Sequence, residues 1–200
     1  MTGLRRSRYG LTLPELLLGM SGTAIVALAA VTMLFAAVQG SDDEKSARSL
    51  VVEGKVVSNR LSAMIRGSRR LLNVTSTRVI LWSSDADNDG LVDVDELRVI
   101  DHTPASTQLS SSVASSGATP AEYDALATTF STVVADLETN AVLDTAVWSN
   151  RVSTFALTSD APTDPQGATL LSYQLEVTNG AFTETVAQSV ALRNRSSGSP

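Results

Sequence analysis

"RYGLTLPELLLGMSGTAIVALAAVTMLFAAV", residues 8–38, is the stretch whose reading decides the fold. From Leu16 to Val38 it runs 23 positions without a charge. As a helix rising about 1.5 Å per residue it extends roughly 35 Å, enough to cross a hydrocarbon core of about 30 Å. One acid, Glu15, stands at the threshold with Pro14 beside it. A single charge at membrane depth costs on the order of 2.5–3.5 kcal/mol by insertion scales, so such a residue needs a partner or a task.

The flank before the run carries Arg5, Arg6 and Arg8 and no acid. That asymmetry keeps the N-terminus cytoplasmic and places everything after Gln39 outside. An ordinary secretory signal has an apolar core of about 7–15 residues, shorter than this one. A plain uncleaved anchor has the right length but leaves Glu15 unexplained.

A third reading places cleavage before the apolar run. Gly10, Leu11, Thr12, Leu13, Pro14 and Glu15 resemble, residue by residue, the prepilin leader of the type IV pilins and the pseudopilins of type II secretion. Leu11 stands where that family usually has Phe. The resemblance implies a leader over 1–10, cut after Gly10 by a prepilin peptidase that methylates Leu11. It implies that Glu15 neutralises the N-terminal ammonium of a neighbouring subunit. It further implies an α+β, pilin-like fold: a long N-terminal helix over 11–72, with its transmembrane segment at 16–38, packed on an antiparallel β-sheet head over 73–200 with one extra helix. The expected partners are other pilin-like subunits, the peptidase, an inner-membrane assembly platform and the membrane. The expected location is a single pass through a bacterial inner membrane with the head in the periplasm, until extraction into a periplasmic or cell-surface filament. "SVALRNR", residues 189–195, resembles the final strand of the larger minor pseudopilins and points to a minor subunit.

The formal charge is −6, and without the three leader arginines 12 bases remain against 21 acids, a net −9. An acidic exported portion argues against nucleic-acid binding through a general basic field. With no cysteine, the head has no disulfide even in an oxidising compartment. Its stability must come from burial, from assembly or from a metal.

Beyond the membrane, Ala47, Leu50, Val51, Val57, Leu61, Met64, Ile65 and Leu72 recur at helical spacing, with charges between them. The pattern then predicts strands at "NVTSTRVILWSS" (73–84) and "ELRVID" (96–101). Residues 103–118 are Ser/Thr-rich and predict a loop. Thr119, Pro120 and Glu122 form a capping-box pattern and predict a helix from about 120 to 138. Strands are predicted at 151–158, 168–178 and 181–193, the last two joined at Asn179-Gly180, a strong hairpin signal.

Enzyme chemistry finds no support. The one histidine, His102, is expected at the surface, and no nucleophile arrangement or phosphate loop accompanies it. Trp82 and Trp148 read as core or interface residues. The informative constellation is "DADNDGLVDVDE", residues 85–96. Calcium takes six to eight oxygens, which an EF-hand loop supplies from positions 1, 3, 5, 7, 9 and 12 with Gly at 6. Those positions are Asp85, Asp87, Asp89, the Leu91 carbonyl, Asp93 and Glu96, with Gly90 sixth and Asp95 off the pattern. The flanks are not helical, so the loop is expected to bridge two strands. Six carboxylates in twelve residues repel one another without a cation.

Two functional readings follow. The first is a pilin-like structural subunit, minor, of a type II secretion pseudopilus or type IV pilus, with a calcium-stabilised head. The rival is a membrane-tethered calcium-binding adhesive or recognition domain that never assembles.

Overall fold

The computed structural model describes residues 12–193. Gly10 and Leu11, where leader processing is expected, lie outside the described residues. In chain order the elements are α1 (Leu13–Gly67), β1 (Arg70–Val74), β2 (Arg78–Trp82), β3 (Val92–Asp93), β4 (Leu97–Thr103), β5 (Gln108–Ala114), β6 (Glu122–Tyr123), α2 (Phe130–Thr139), β7 (Leu143–Ser149), β8 (Val152–Ser159), β9 (Leu170–Asn179) and β10 (Phe182–Ala191). The protein is therefore α+β, with a long N-terminal helix and antiparallel sheets. Contacts divide it into two units, Met1–Lys45 and Ser46–Pro200.

In the first unit, every described side chain from Thr12 to Gly40 is exposed, Leu28 and Phe35 among them. Among the described residues, α1 is the one helix long and apolar enough to cross a membrane. Thr12 precedes its first turn, and the Thr12 N–H and Oγ1–H both donate to Glu15 Oε2, at 3.1 and 3.0 Å. This is the backward-reaching half of a capping box, spelled T-L-P-E in the sequence. Pro14 is harmless there because first-turn N–H groups have no intrahelical acceptor.

In the second unit, residues 46–67 of α1 bury Leu50, Val57, Leu61 and Ile65 against both large sheets. Fully burying one such side chain contributes about 1.5–3 kcal/mol. The five-stranded sheet has the order β1-β2-β4-β5-β7, all neighbours antiparallel, and the three-stranded sheet β10-β9-β8. Strand β2 shows no polar alternation because both its faces are covered. Val79 and Leu81 join the core with α1, while Ile80 and Trp82 join a second core with Val92, Leu97, Val99, Phe130 and Val134. In β9, where one face is covered, Leu171, Tyr173, Leu175 and Val177 are buried and the intervening residues are not. Gly180 turns β9 into β10 at φ +61°, the left-handed region the hairpin requires.

Polar groups on α1 find partners in the sheets. Tyr173 OH lies 2.7 Å from Ser58 Oγ, 2.8 Å from Ser62 Oγ and 2.8 Å from Gln188 Oε1, and it donates to the Ser58 carbonyl at 3.0 Å. Glu53 accepts from Ser149 Oγ at 2.6 Å and faces Arg151 at 3.4 Å.

Three expectations are corrected. α1 stops at Gly67 rather than continuing to 72. Ser68 ends it by donating its hydroxyl to the Ile65 carbonyl at 2.6 Å, and Leu72 lies in β1. The expected loop at 103–118 contains β5, an interior strand of the larger sheet. Its Ser110, Ser111 and Ser112 are buried because strands pair on both sides, an environment that overrides their low strand propensity. The expected helix at 120–138 begins only at Phe130, since Glu122 and Tyr123 pair with Asp93 and Val92 instead. Strand β7, which no apolar pattern announced, forms an edge with four consecutive exposed residues.

Candidate metal centre

The loop between β2 and β4 carries the acidic motif. Asn88 and Gly90 take left-handed conformations, φ +62° and +82°, and fold it back on itself. The Leu91 N–H donates to Asp89 Oδ1 at 2.8 Å and the Asp89 N–H to Asp87 Oδ1 at 3.3 Å. In that shape Asp85, Asp87 and Asp89 each present a carboxylate oxygen within 4.8 Å of the other two. Three converging hard oxygens suit a hard cation such as calcium, whose remaining positions carbonyls and water can supply.

The rest of the predicted ligand set is placed differently. Asp93 lies in β3, paired with Glu122, outside that triad. Its carboxyl is nonetheless pushed above the usual range, first by desolvation and then by the charges of Asp87, Glu96, Asp95 and Asp89. Leu91 is half-buried between the triad and β3. Glu96 is not brought into the cluster: its carboxylate is buried and turns inward. Glu96 Oε2 accepts from Trp82 Nε1 at 2.8 Å and from the Asp93 N–H at 3.3 Å, and Oε1 accepts from the Ala86 N–H at 2.5 Å. A buried carboxylate with three donors is held by those donors, and here they tie both ends of the loop to Trp82.

Asp85 differs from its two partners. Its side chain is only 4% exposed, while Asp87 and Asp89 face solvent. Asp85 Oδ2 pairs with Arg69 Nη1, and Asp85 Oδ1 is buried with no hydrogen-bond partner. The Arg69 guanidinium lies over the Trp82 ring, 4.5 Å from its centroid. Arg69 was missed in the sequence, because it stands 16 residues before Asp85 and belongs to no loop motif.

His102 is not at the surface, as expected, but buried in β4. Its Nε2–H donates to the Val152 carbonyl at 2.9 Å, and its ring meets Phe155 edge-on at 6.1 Å. Trp82 is buried in the second core and Trp148 half-buried against the first, as expected. Comparison with protein-family models, curated proteins and solved structures gives no match for this chain.

Proposed function

We propose that this chain is a pilin-like structural subunit, a minor component of a type II secretion pseudopilus or a type IV pilus, with a calcium-stabilised head. The observation that carries the reading is the uninterrupted helix Leu13–Gly67, which has Glu15 in its first turn and joins an uncharged span to residues buried in an antiparallel head. Such a layout suits a subunit drawn out of a membrane by stacking of apolar helices. Within the head, Val52 and Val56 of α1 are 61% and 45% exposed and offer apolar surface on which a helix of a second copy would pack.

Glu15 then has two successive partners. In the single chain its carboxylate accepts two hydrogen bonds from the uncharged donors of Thr12. In a filament a neighbour's ammonium brings a full opposite charge to that carboxylate, which the uncharged Thr12 donors do not. The exchange offsets the burial of both charges and sets the axial register. The head, acidic and without disulfides, gains stability by holding calcium at Asp85, Asp87 and Asp89; exported calcium modules bind at about 10⁻⁴–10⁻³ M.

The mass and sequence of the mature N-terminus test this reading. Loss of residues 1–10, leaving a methylated Leu11, is the expected result, and a bulky residue at Gly10 should leave the precursor in the membrane. A chain that keeps Met1 is a tether, and one that begins at Ser41 is a secreted domain.

A further inference from the structure

Arg69 stands two residues beyond the end of α1 and has three attachments. Its N–H donates to the Trp82 carbonyl at 2.7 Å, its guanidinium stacks on the Trp82 ring, and Nη1 pairs with Asp85 Oδ2. Asp85 supplies the other half of the observation. Its carboxylate is nine-tenths buried and belongs to the acidic triad, yet Oδ1 has no hydrogen-bond partner. A buried carboxylate oxygen left without a donor is destabilising unless a cation completes it. Arg69 uses one oxygen, so the other is available to an ion without displacing the arginine.

We infer that Asp85 bridges a bound calcium ion and Arg69, so that loading the loop locks the junction between α1 and β1. This inference rests on the calcium reading of the loop. The last turn of α1 closes on the same few residues: Ser68 N–H donates to the Met64 carbonyl at 3.0 Å, and Ser68 Oγ–H to that of Ile65. Packing alone does not fasten this corner, because a cavity of about 320 Å³ borders Ser68, Arg69, Ser84 and Asp85. What fastens it, beside these hydrogen bonds, is charge and the Trp82 ring. Trp82 also anchors the far end of the loop through Glu96. An ion on the triad fixes both oxygens of Asp85, and that fixes Arg69 and the helix end. Arg69 is thus a positioning residue, acting on α1 through Asp85 and not on the ion directly.

Hydrogen exchange on the full-length chain in detergent micelles, with and without calcium, tests the coupling. At ten times the dissociation constant, openings that release the ion become about tenfold rarer. Wild type should therefore exchange about tenfold more slowly both at residues 85–91 and at residues 64–70. Arg69→Gln should keep the effect at 85–91 and lose it at 64–70. Arg69→Met, whose stem still covers Trp82, is read the same way if the Gln variant does not fold. Protection at 85–91 without protection at 64–70 in wild type would overturn the coupling, as would a variant that keeps both. No calcium effect at 85–91 in wild type would instead overturn the calcium reading itself.

Discussion

Trp82 and Glu96 meet side chain to side chain inside the head, the indole N–H donating to Glu96 Oε2 at 2.8 Å. Position 12 of an EF-hand loop normally turns its carboxylate onto the ion. Here the corresponding residue is a core acceptor. Glu96→Ala strands the indole N–H and the Ala86 N–H, each costing about 1–3 kcal/mol when buried and unpaired. The melting temperature should fall in chelator as well as in calcium. A loss seen only with calcium present would restore Glu96 to the ligand set.

Asp87→Ala or Asp89→Ala should remove the calcium-dependent rise in melting temperature, and Asp95→Ala should not. Both carboxylates are exposed and each accepts a single loop N–H, so their loss costs the chelated protein little. At 100 times the dissociation constant the ion contributes about 2.7 kcal/mol. Calorimetry at millimolar calcium is the direct measurement; no binding heat in wild type would reduce the loop to a solvated turn.

Glu15→Ala should leave membrane insertion unchanged or slightly improved, because a charge is removed from the threshold of the span. Incorporation into filaments should fall, since a neighbour's ammonium would then be buried unpaired. Crosslinking into filaments at wild-type yield would refute the pairing. Loss of the Thr12 bonds by itself frays only the first turn.

Tyr173→Phe should destabilise the head by about 1–3 kcal/mol, because the phenol serves Ser58, Ser62 and Gln188 in a buried site. For a chain of this size that lowers the melting temperature by about 2–4 °C per kcal/mol. A combined Ser58→Ala and Tyr173→Phe variant should lose less than the sum of the two, since the residues share one network.

Asp160 predicts part of the acid response. Its carboxylate accepts from Thr169 Oγ1–H and from the Thr169 and Leu170 N–H groups, and these bonds hold it below the usual range, the Thr169 hydroxyl most strongly. A group depressed in the folded state contributes stability above its unfolded pKa, about 3.9, and loses it as pH falls through the folded value. Asp160→Asn should therefore flatten melting temperature against pH below about 4 and leave neutral behaviour less affected. An unchanged acid limb would show that these bonds also form in the unfolded chain.

Local signals along the chain determined much of this protein. The uncharged run, the apolar stripe from Leu50 to Ile65, the β9–β10 hairpin at Asn179-Gly180 and the Asp85, Asp87, Asp89 spacing are local patterns, and each appears where the pattern puts it, except that the helix stops short of Leu72. Tertiary structure decided the rest, because the deciding partners are distant in sequence. Serines 110–112 become interior only through β4 and β7, and Tyr123 leaves its helical pattern only because Val92 offers a strand to pair with. Glu96 changes from ligand to core acceptor because Trp82, 14 residues earlier, presents its N–H there. Asp85 is set apart from two identical neighbours by an arginine at the end of α1. Spacing can place carboxylates on one loop; which of them faces an ion and which faces the core depends on donors that only the fold delivers.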